Sequence, residues 1–174
     1  MLRTVRRRVI QGIFATLALT STALASDLPA PKGDVILTVT GSIGVTNSGT
    51  AALFDLASLQ NLGESQFTTS TIWTEGENTF TGVSLATLLT AVEAETGILN
   101  ATAINDYSVS FPVAEALADD AIIAYQMNGK HISIREKGPL WILYPFDDDN
   151  KYKSETYYSR SIWHLNRIEI TSAP

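Results

Sequence analysis

From Asp34 the chain alternates in the manner of a strand. Val35, Leu37 and Val39 fall on one face and Ile36, Thr38 and Thr40 on the other, mostly β-branched types, until Gly41 breaks the run. The period then changes. Asp55 has the character of an N-cap for a short helix carrying Leu56, Leu59 and Leu62 and closed by Gly63. The threonine-rich segment from Phe67 to Trp73 returns to strand, and Ser84 caps a second helix in which Leu85, Leu88, Leu89 and Val92 recur at three- and four-residue spacing, ending at Gly97. Ala101 to Phe111 reads as one or two strands, and Pro112 opens a helical turn. Ile122 to Met127 is a strand that reverses at Asn128-Gly129, a pair suited to a type I′ hairpin because both residues tolerate positive φ. Leu140 to Tyr144 forms a buried strand, and in the last strand, Ile162 to Ile170, the even positions Ile162, His164, Asn166, Ile168 and Ile170 alternate with the odd ones. Many short strands with a few short helices and no internal repeat predict one mixed α+β domain.

The amino-terminal pattern is of another kind. Arg3, Arg6, Arg7 and Arg8 precede an apolar run from Val9 to Leu19, and Ala23-Leu24-Ala25 follows as a cleavage pattern. Residues 1–25 are therefore expected to be a signal peptide, 26–33 a flexible Pro-containing leader and 34–174 the folded domain. The arginines faintly resemble a twin-arginine signal, ordinary secretory export being the simpler expectation. The apolar run is short for a bilayer span, so the processed protein is expected in the periplasm without direct membrane insertion.

Cleavage would remove four basic residues and no acidic ones, leaving eight Lys and Arg against eighteen Asp and Glu and taking the net charge from -6 to -10. A surface so acidic repels phosphate backbones, which argues against a nucleic-acid partner. The absence of cysteine excludes disulfides, thiolate metal ligands and sulfur nucleophiles. His131 and His164 are the only histidines, and neither has a partner at helical spacing. Asp147-Asp148-Asp149-Asn150 lacks the glycine and distal glutamate of a calcium loop and is expected to be a solvated turn. Hydrolase and phosphate-loop motifs are absent.

Three clusters carry the candidate chemistry. Thr71-Ile72-Trp73-Thr74-Glu75-Gly76 lies where a strand runs into a loop, and Asn105-Asp106-Tyr107 interrupts another strand. A flat heterocycle needs a ring to stack on and, if it is a pterin, a carboxylate to take its adjacent N–H donors. Trp73 and Tyr107 suit the first task and Glu75 or Asp106 the second; the bland alternative makes Trp73 a core aromatic and Asp106 a turn residue. In the third cluster, Ser159-Arg160-Ser161-Ile162-Trp163, Arg160 and Ser161 suit an anionic or carbonyl group of a ligand, the bland alternative pairing Arg160 with one of the many carboxylates, and Tyr152, Tyr157, Tyr158 and Trp163 crowd the same region.

Gly82-Val83-Ser84-Leu85-Ala86-Thr87-Leu88-Leu89, Asn105-Asp106-Tyr107-Ser108-Val109, Ala124-Tyr125-Gln126-Met127-Asn128-Gly129 and Lys137-Gly138-Pro139-Leu140, in that order and spacing, resemble the oxidoreductase molybdopterin-binding domain of the sulfite oxidase family. The resemblance covers Asp34 to Ile170 and implies the sulfite oxidase-like fold, with mixed β-sheets and a few short helices. Enzymes of that family hold molybdenum through a cysteine in a C-x-E-G-like stretch, to which Trp73-Thr74-Glu75-Gly76 corresponds here. An indole cannot ligate the metal. The chain is thus similar to the cysteine-less PruR-like periplasmic pterin-binding proteins. That likeness implies a non-catalytic protein binding a reduced, metal-free pterin in preference to molybdopterin, with no covalently bound cofactor, and reporting it to the periplasmic domain of a membrane-bound cyclic-di-GMP cyclase or phosphodiesterase. By the same likeness Trp73 stacks on the ring, Asp106 or Glu75 takes its amino edge, and Tyr107, Arg160 and Trp163 complete the walls. The alternatives are a molybdopterin-dependent oxidoreductase subunit of the sulfite oxidase family and a purely structural subunit.

Overall fold

The first described strand, β1 (Leu37–Gly41), buries Leu37 and Val39 and turns its threonines outward, as the alternation requires. The computed structural model describes residues 28–172; the expected signal peptide lies outside them. The remaining elements are β2 (Ala52–Phe54), α1 (Leu56–Asn61), β3 (Ser65–Ser70), β4 (Glu77–Ser84), α2 (Leu85–Ala91), β5 (Ile98–Ala103), β6 (Ser108–Pro112), α3 (Val113–Ala118), β7 (Ile122–Met127), β8 (Lys130–His131), β9 (Trp141–Leu143), α4 (Glu155–Arg160) and β10 (Leu165–Thr171). One sheet runs β2-β1-β10-β5-β6, with β1 and β10 parallel and the other neighbours antiparallel. The second runs β3-β4-β7-β8, and β9 shares with β8 the edge of β7 opposite β4. A single apolar core joins the inner faces to Leu85, Leu88 and Leu89 of α2.

Three departures from the sequence pattern have clear physical causes. The segment Glu77–Ser84 shows no apolar alternation, yet it is a central strand between β3 and β7. Its buried Asn78 is satisfied internally, donating to Thr74 Oγ1 and to the carbonyls of Glu75 and Gly76 while accepting from Asn128 Nδ2. Polar residues paired in this way do not demand an outward face. The β3 strand stops at Ser70, so Trp73 stands in the following turn instead of the strand. Finally, the register of β10 against β5 slips between Leu165 and Arg167, a β-bulge that reverses the alternation: Leu165, Ile168 and Ile170 face the core, and Asn166 is the extra residue. The expected hairpin turn is present, with φ of 52° at Asn128 and 74° at Gly129. The second helix ends at Ala91, well before Gly97.

Asp55 caps α1 and also ties down the leader. Its carboxylate accepts from Ser58 N and Ser58 Oγ, and the other oxygen accepts from Lys32 N at 2.8 Å and Gly33 N at 2.7 Å. These donors stabilise the charged form, the Ser58 hydroxyl most of all, and hold the pKa well below its ordinary 3.8. Asp147 is likewise lowered to about 2, first by the Ser70 amide and then by Lys153. Stability from carboxylates of depressed pKa is fully present above the unfolded value and disappears as the pH falls through the folded one. The urea midpoint is therefore expected to hold from neutrality to about pH 4 and to drop steeply below it. Asp55→Asn should be less stable at pH 7 and show a shallower acid drop; an identical pH profile in the variant would remove Asp55 from this account.

Candidate functional site

The turn between β3 and β4 is built to project an aromatic ring. Thr71 Oγ1 and Thr74 Oγ1 lie 2.8 Å apart, Trp73 N donates to Thr71 Oγ1 at 3.1 Å, and Asn78 holds the carbonyls of the turn's far side. Gly76 closes it at φ 63°, in the region that favours glycine. Trp73, half-buried, meets four rings edge-on: Trp141 at 5.8 Å, Trp163 at 5.9 Å, Tyr158 at 5.9 Å and Phe146 at 6.0 Å between centroids. None lies parallel to it, the interplanar angles running from 63° to 88°.

Beside these rings opens a cleft of about 380 Å³. Trp73, Tyr158 and Trp163 form its aromatic wall, Ala103, Asn105 and Tyr107 come from the β5–β6 connection, and Ser159, Ser161 and Ile162 from the end of α4. The volume falls in the range of small-molecule sites. The β5–β6 turn is fixed by Asp106 N to Ala103 O at 3.0 Å, Ala103 N to Tyr107 O at 2.9 Å and an Asn105 side chain that accepts from Tyr107 N at 3.3 Å. His164, at φ 55°, links the two sides of the mouth: its carbonyl accepts from Ile104 N, its amide donates to Lys137 O, and its ring Nε2 lies 3.0 Å from Ile134 O. Beneath the wall, fully buried Trp141 donates its indole N–H to Ser161 O.

The three aromatics singled out in the sequence, Trp73, Tyr107 and Trp163, thus come together, while the three charged residues do not line the cleft. Asp106 adopts φ 65° as a turn residue, and its carboxylate, 81% exposed, pairs with Arg167. Glu75, two residues after Trp73 in the same turn, is exposed and is not among the residues lining the cleft. Arg160 is 8% exposed and packs inward, bound to Glu115 at 2.6 Å with its guanidinium over the rings of Phe111 and Tyr157. The other lining residues are Ala103, Asn105, Tyr158, Ser159, Ser161 and Ile162. Asn105, Tyr158, Ser159, Ser161 and Ile162 belong to clusters visible in the sequence, Ser161 as a candidate contact to an anionic or carbonyl group of a ligand; Ala103 gives no signal, being one small apolar residue at the end of a strand.

No group of three or more His, Cys, Asp or Glu side chains is placed to hold a metal ion among the described residues. With no cysteine in the chain and neutral side chains lining the cleft, the donors present do not fit a molybdenum centre.

A family model for the oxidoreductase molybdopterin binding domain matches residues 53–174. The chain belongs to this family. Among solved structures it is similar to the sulfane dehydrogenase SoxCD from Paracoccus pantotrophus, at 18% identity and a TM-score of 0.58, over 78% of this chain and 37% of that one. The chain therefore spans little more than a third of the SoxCD chain, and the likeness establishes the shared sulfite oxidase-like fold. A comparison with curated proteins finds no match. The segment Gly82 to Leu89, legible as a motif, is the end of β4 and most of α2, whose Leu85, Leu88 and Leu89 pack into the core.

Proposed function

We propose that this chain is a non-catalytic, periplasmic pterin-binding protein that takes a reduced, metal-free pterin in the Trp73 cleft and reports it to the periplasmic domain of a membrane-bound cyclic-di-GMP cyclase or phosphodiesterase. The observation that carries the reading is the cleft itself: a ring-lined space of about 380 Å³ at the position where family resemblance puts the molybdenum-binding cysteine, with Trp73 in place of the sulfur. An indole wall suits a planar heterocycle and offers nothing to a metal. The amide of Asn105, able both to donate and to accept, replaces Asp106 in this proposal as the group for the pterin's amino and oxo edge. Tyr107 and Trp163 complete the enclosure. The signalling role rests on the resemblance to the PruR-like branch together with the expected export.

Two of the three tryptophans line the cleft, so their emission reports occupancy. Titration of the processed protein with tetrahydrobiopterin under anaerobic conditions should give saturable quenching at micromolar ligand. Neither quenching nor heat of binding at that concentration would defeat the proposal. Stoichiometric molybdenum in protein purified from its native host would instead favour the oxidoreductase reading.

A further inference from the structure

Six large apolar side chains are exposed among the described residues: Val35, Ile72, Ile104, Tyr107, Ile134 and Trp163. Scattered singly they would need no explanation. Four of them gather around one residue, His164. Its carbonyl accepts from Ile104 N at 2.9 Å, its ring Nε2 lies 3.0 Å from Ile134 O, and Trp163 directly precedes it. Tyr107 belongs to the same tight turn as Ile104, its carbonyl accepting from Ala103 N. Two connections far apart in sequence, β5–β6 and β8–β9, thus bring together Ile104, Tyr107, Ile134 and Trp163, which are between 37% and 64% exposed. Tyr107 and Trp163 also line the cleft, so this apolar rim borders its mouth.

The β8–β9 connection also reverses the charge of its surroundings. It carries Lys130, Arg135 and Lys137 against the single carboxylate of Glu136, in a chain with twelve basic and eighteen acidic residues. The ion pairs among the described residues engage Lys151, Lys153, Arg160 and Arg167 and leave these three cations without a carboxylate. Lys137 Nζ stands 5.9 Å from the ring centroid of Trp163, so the positive charge adjoins the apolar rim. Exposed apolar side chains beside unneutralised cations complement a surface that is itself apolar and acidic. A second copy of this chain does not supply one at a two-fold contact, which would set these cations against themselves. An anionic bilayer would meet the exposed carboxylates of Asp106 and Glu136, on the same two connections, and a chain of net charge -6. A protein segment can match both signs position by position.

We propose that this rim is the docking surface for a protein partner whose contact segment is acidic and apolar. The inference rests on the reporting role proposed above and adds where, and by what chemistry, the report is made; it does not require the ligand to be a pterin. Because Tyr107 and Trp163 belong to both cleft and rim, a partner seated there lies against the mouth and meets the exposed edge of whatever fills the cleft.

The test places the photo-crosslinker p-benzoylphenylalanine in the full chain, in its native host, at Ile104, at Ile134 or at Glu95, an exposed control beyond the opposite end of β5. Both rim positions should give an adduct with the same host protein, absent at the control, and mass spectrometry should map it to a segment of net negative charge with apolar side chains. The purified soluble domain of that protein should then bind the processed chain more weakly as salt rises. The double variant Lys130→Glu, Arg135→Glu should weaken binding by about tenfold or more at low salt, with the melting temperature and the quenching by tetrahydrobiopterin unchanged. No adduct at the rim, an adduct with a second copy of this chain, or one with a basic segment overturns the inference and leaves the pterin reading intact. Cosedimentation with phosphatidylglycerol vesicles that the double variant abolishes also overturns it, in favour of a membrane. Rim adducts in a protein that no tetrahydropterin quenches would defeat the pterin reading alone and leave the docking surface standing.

Discussion

Trp73→Ala should lower stability by about 3 kcal/mol and abolish the fluorescence response to tetrahydropterins. The indole is half-buried, so full core truncation is too severe a model, but four edge-on ring contacts at 5.8 to 6.0 Å are lost together. Such pairs add about 0.5–1.5 kcal/mol each beyond the area they bury. The turn itself, held by Thr71, Thr74 and Asn78, does not depend on the ring and should persist. Trp73→Phe separates the two effects: it keeps an aromatic in the cluster and should cost only about 1 kcal/mol, while the smaller stacking face weakens ligand binding substantially. Urea unfolding and calorimetric titration measure the two quantities independently. Pterin affinity within twofold of the original in both variants would place the ligand outside this cleft.

Gly82→Val should be comparably damaging, at about 3 kcal/mol, and Gly82→Ala about 2 kcal/mol. A Cβ at position 82 would stand 2.7 Å from the Ala124 Cα and overlap the carbonyl of Ile123. These are backbone atoms of the neighbouring strand and cannot rotate aside. Here β7 lies directly against the glycine of β4, next to the register shift between Thr81 and Gly82. The damage should extend to the site, because Ala124 is paired on its other edge with Trp141, whose ring supports Trp73 and Trp163. A urea midpoint for Gly82→Ala equal to that of the original protein would show that the strands separate without cost.

The comparison between pattern and structure is instructive at particular residues. Leu37 and Val39, Leu85 to Leu89 and the Asn128-Gly129 turn were legible because local periodicity and turn chemistry agree there with the global fold. The β4 strand was not, because its Asn78 side chain finds partners in the β7–β8 turn and in the preceding turn, and such pairing is invisible along one segment. In β10 a single bulge moved Leu165 to the core side, and a register slip of one residue inverts every expectation upstream of it. Arg160 and Asp106 carried charge that suited a ligand, but each found a nearer protein partner, Glu115 and Arg167.

From residues alone followed the α+β class, the family, the lack of any thiolate for a metal, and the aromatic trio of Trp73, Tyr107 and Trp163. These depend on composition, local period and motif order, which are properties of the chain in one dimension. Which polar groups face the cleft was settled only in three dimensions. Asn105 turns in where its neighbour Asp106 turns out, and Ser161 reaches the wall while adjacent Arg160 is drawn into an ion pair. Adjacent residues in a turn or at a helix end point in different directions, and the direction each takes is decided by long-range partners that no local pattern contains.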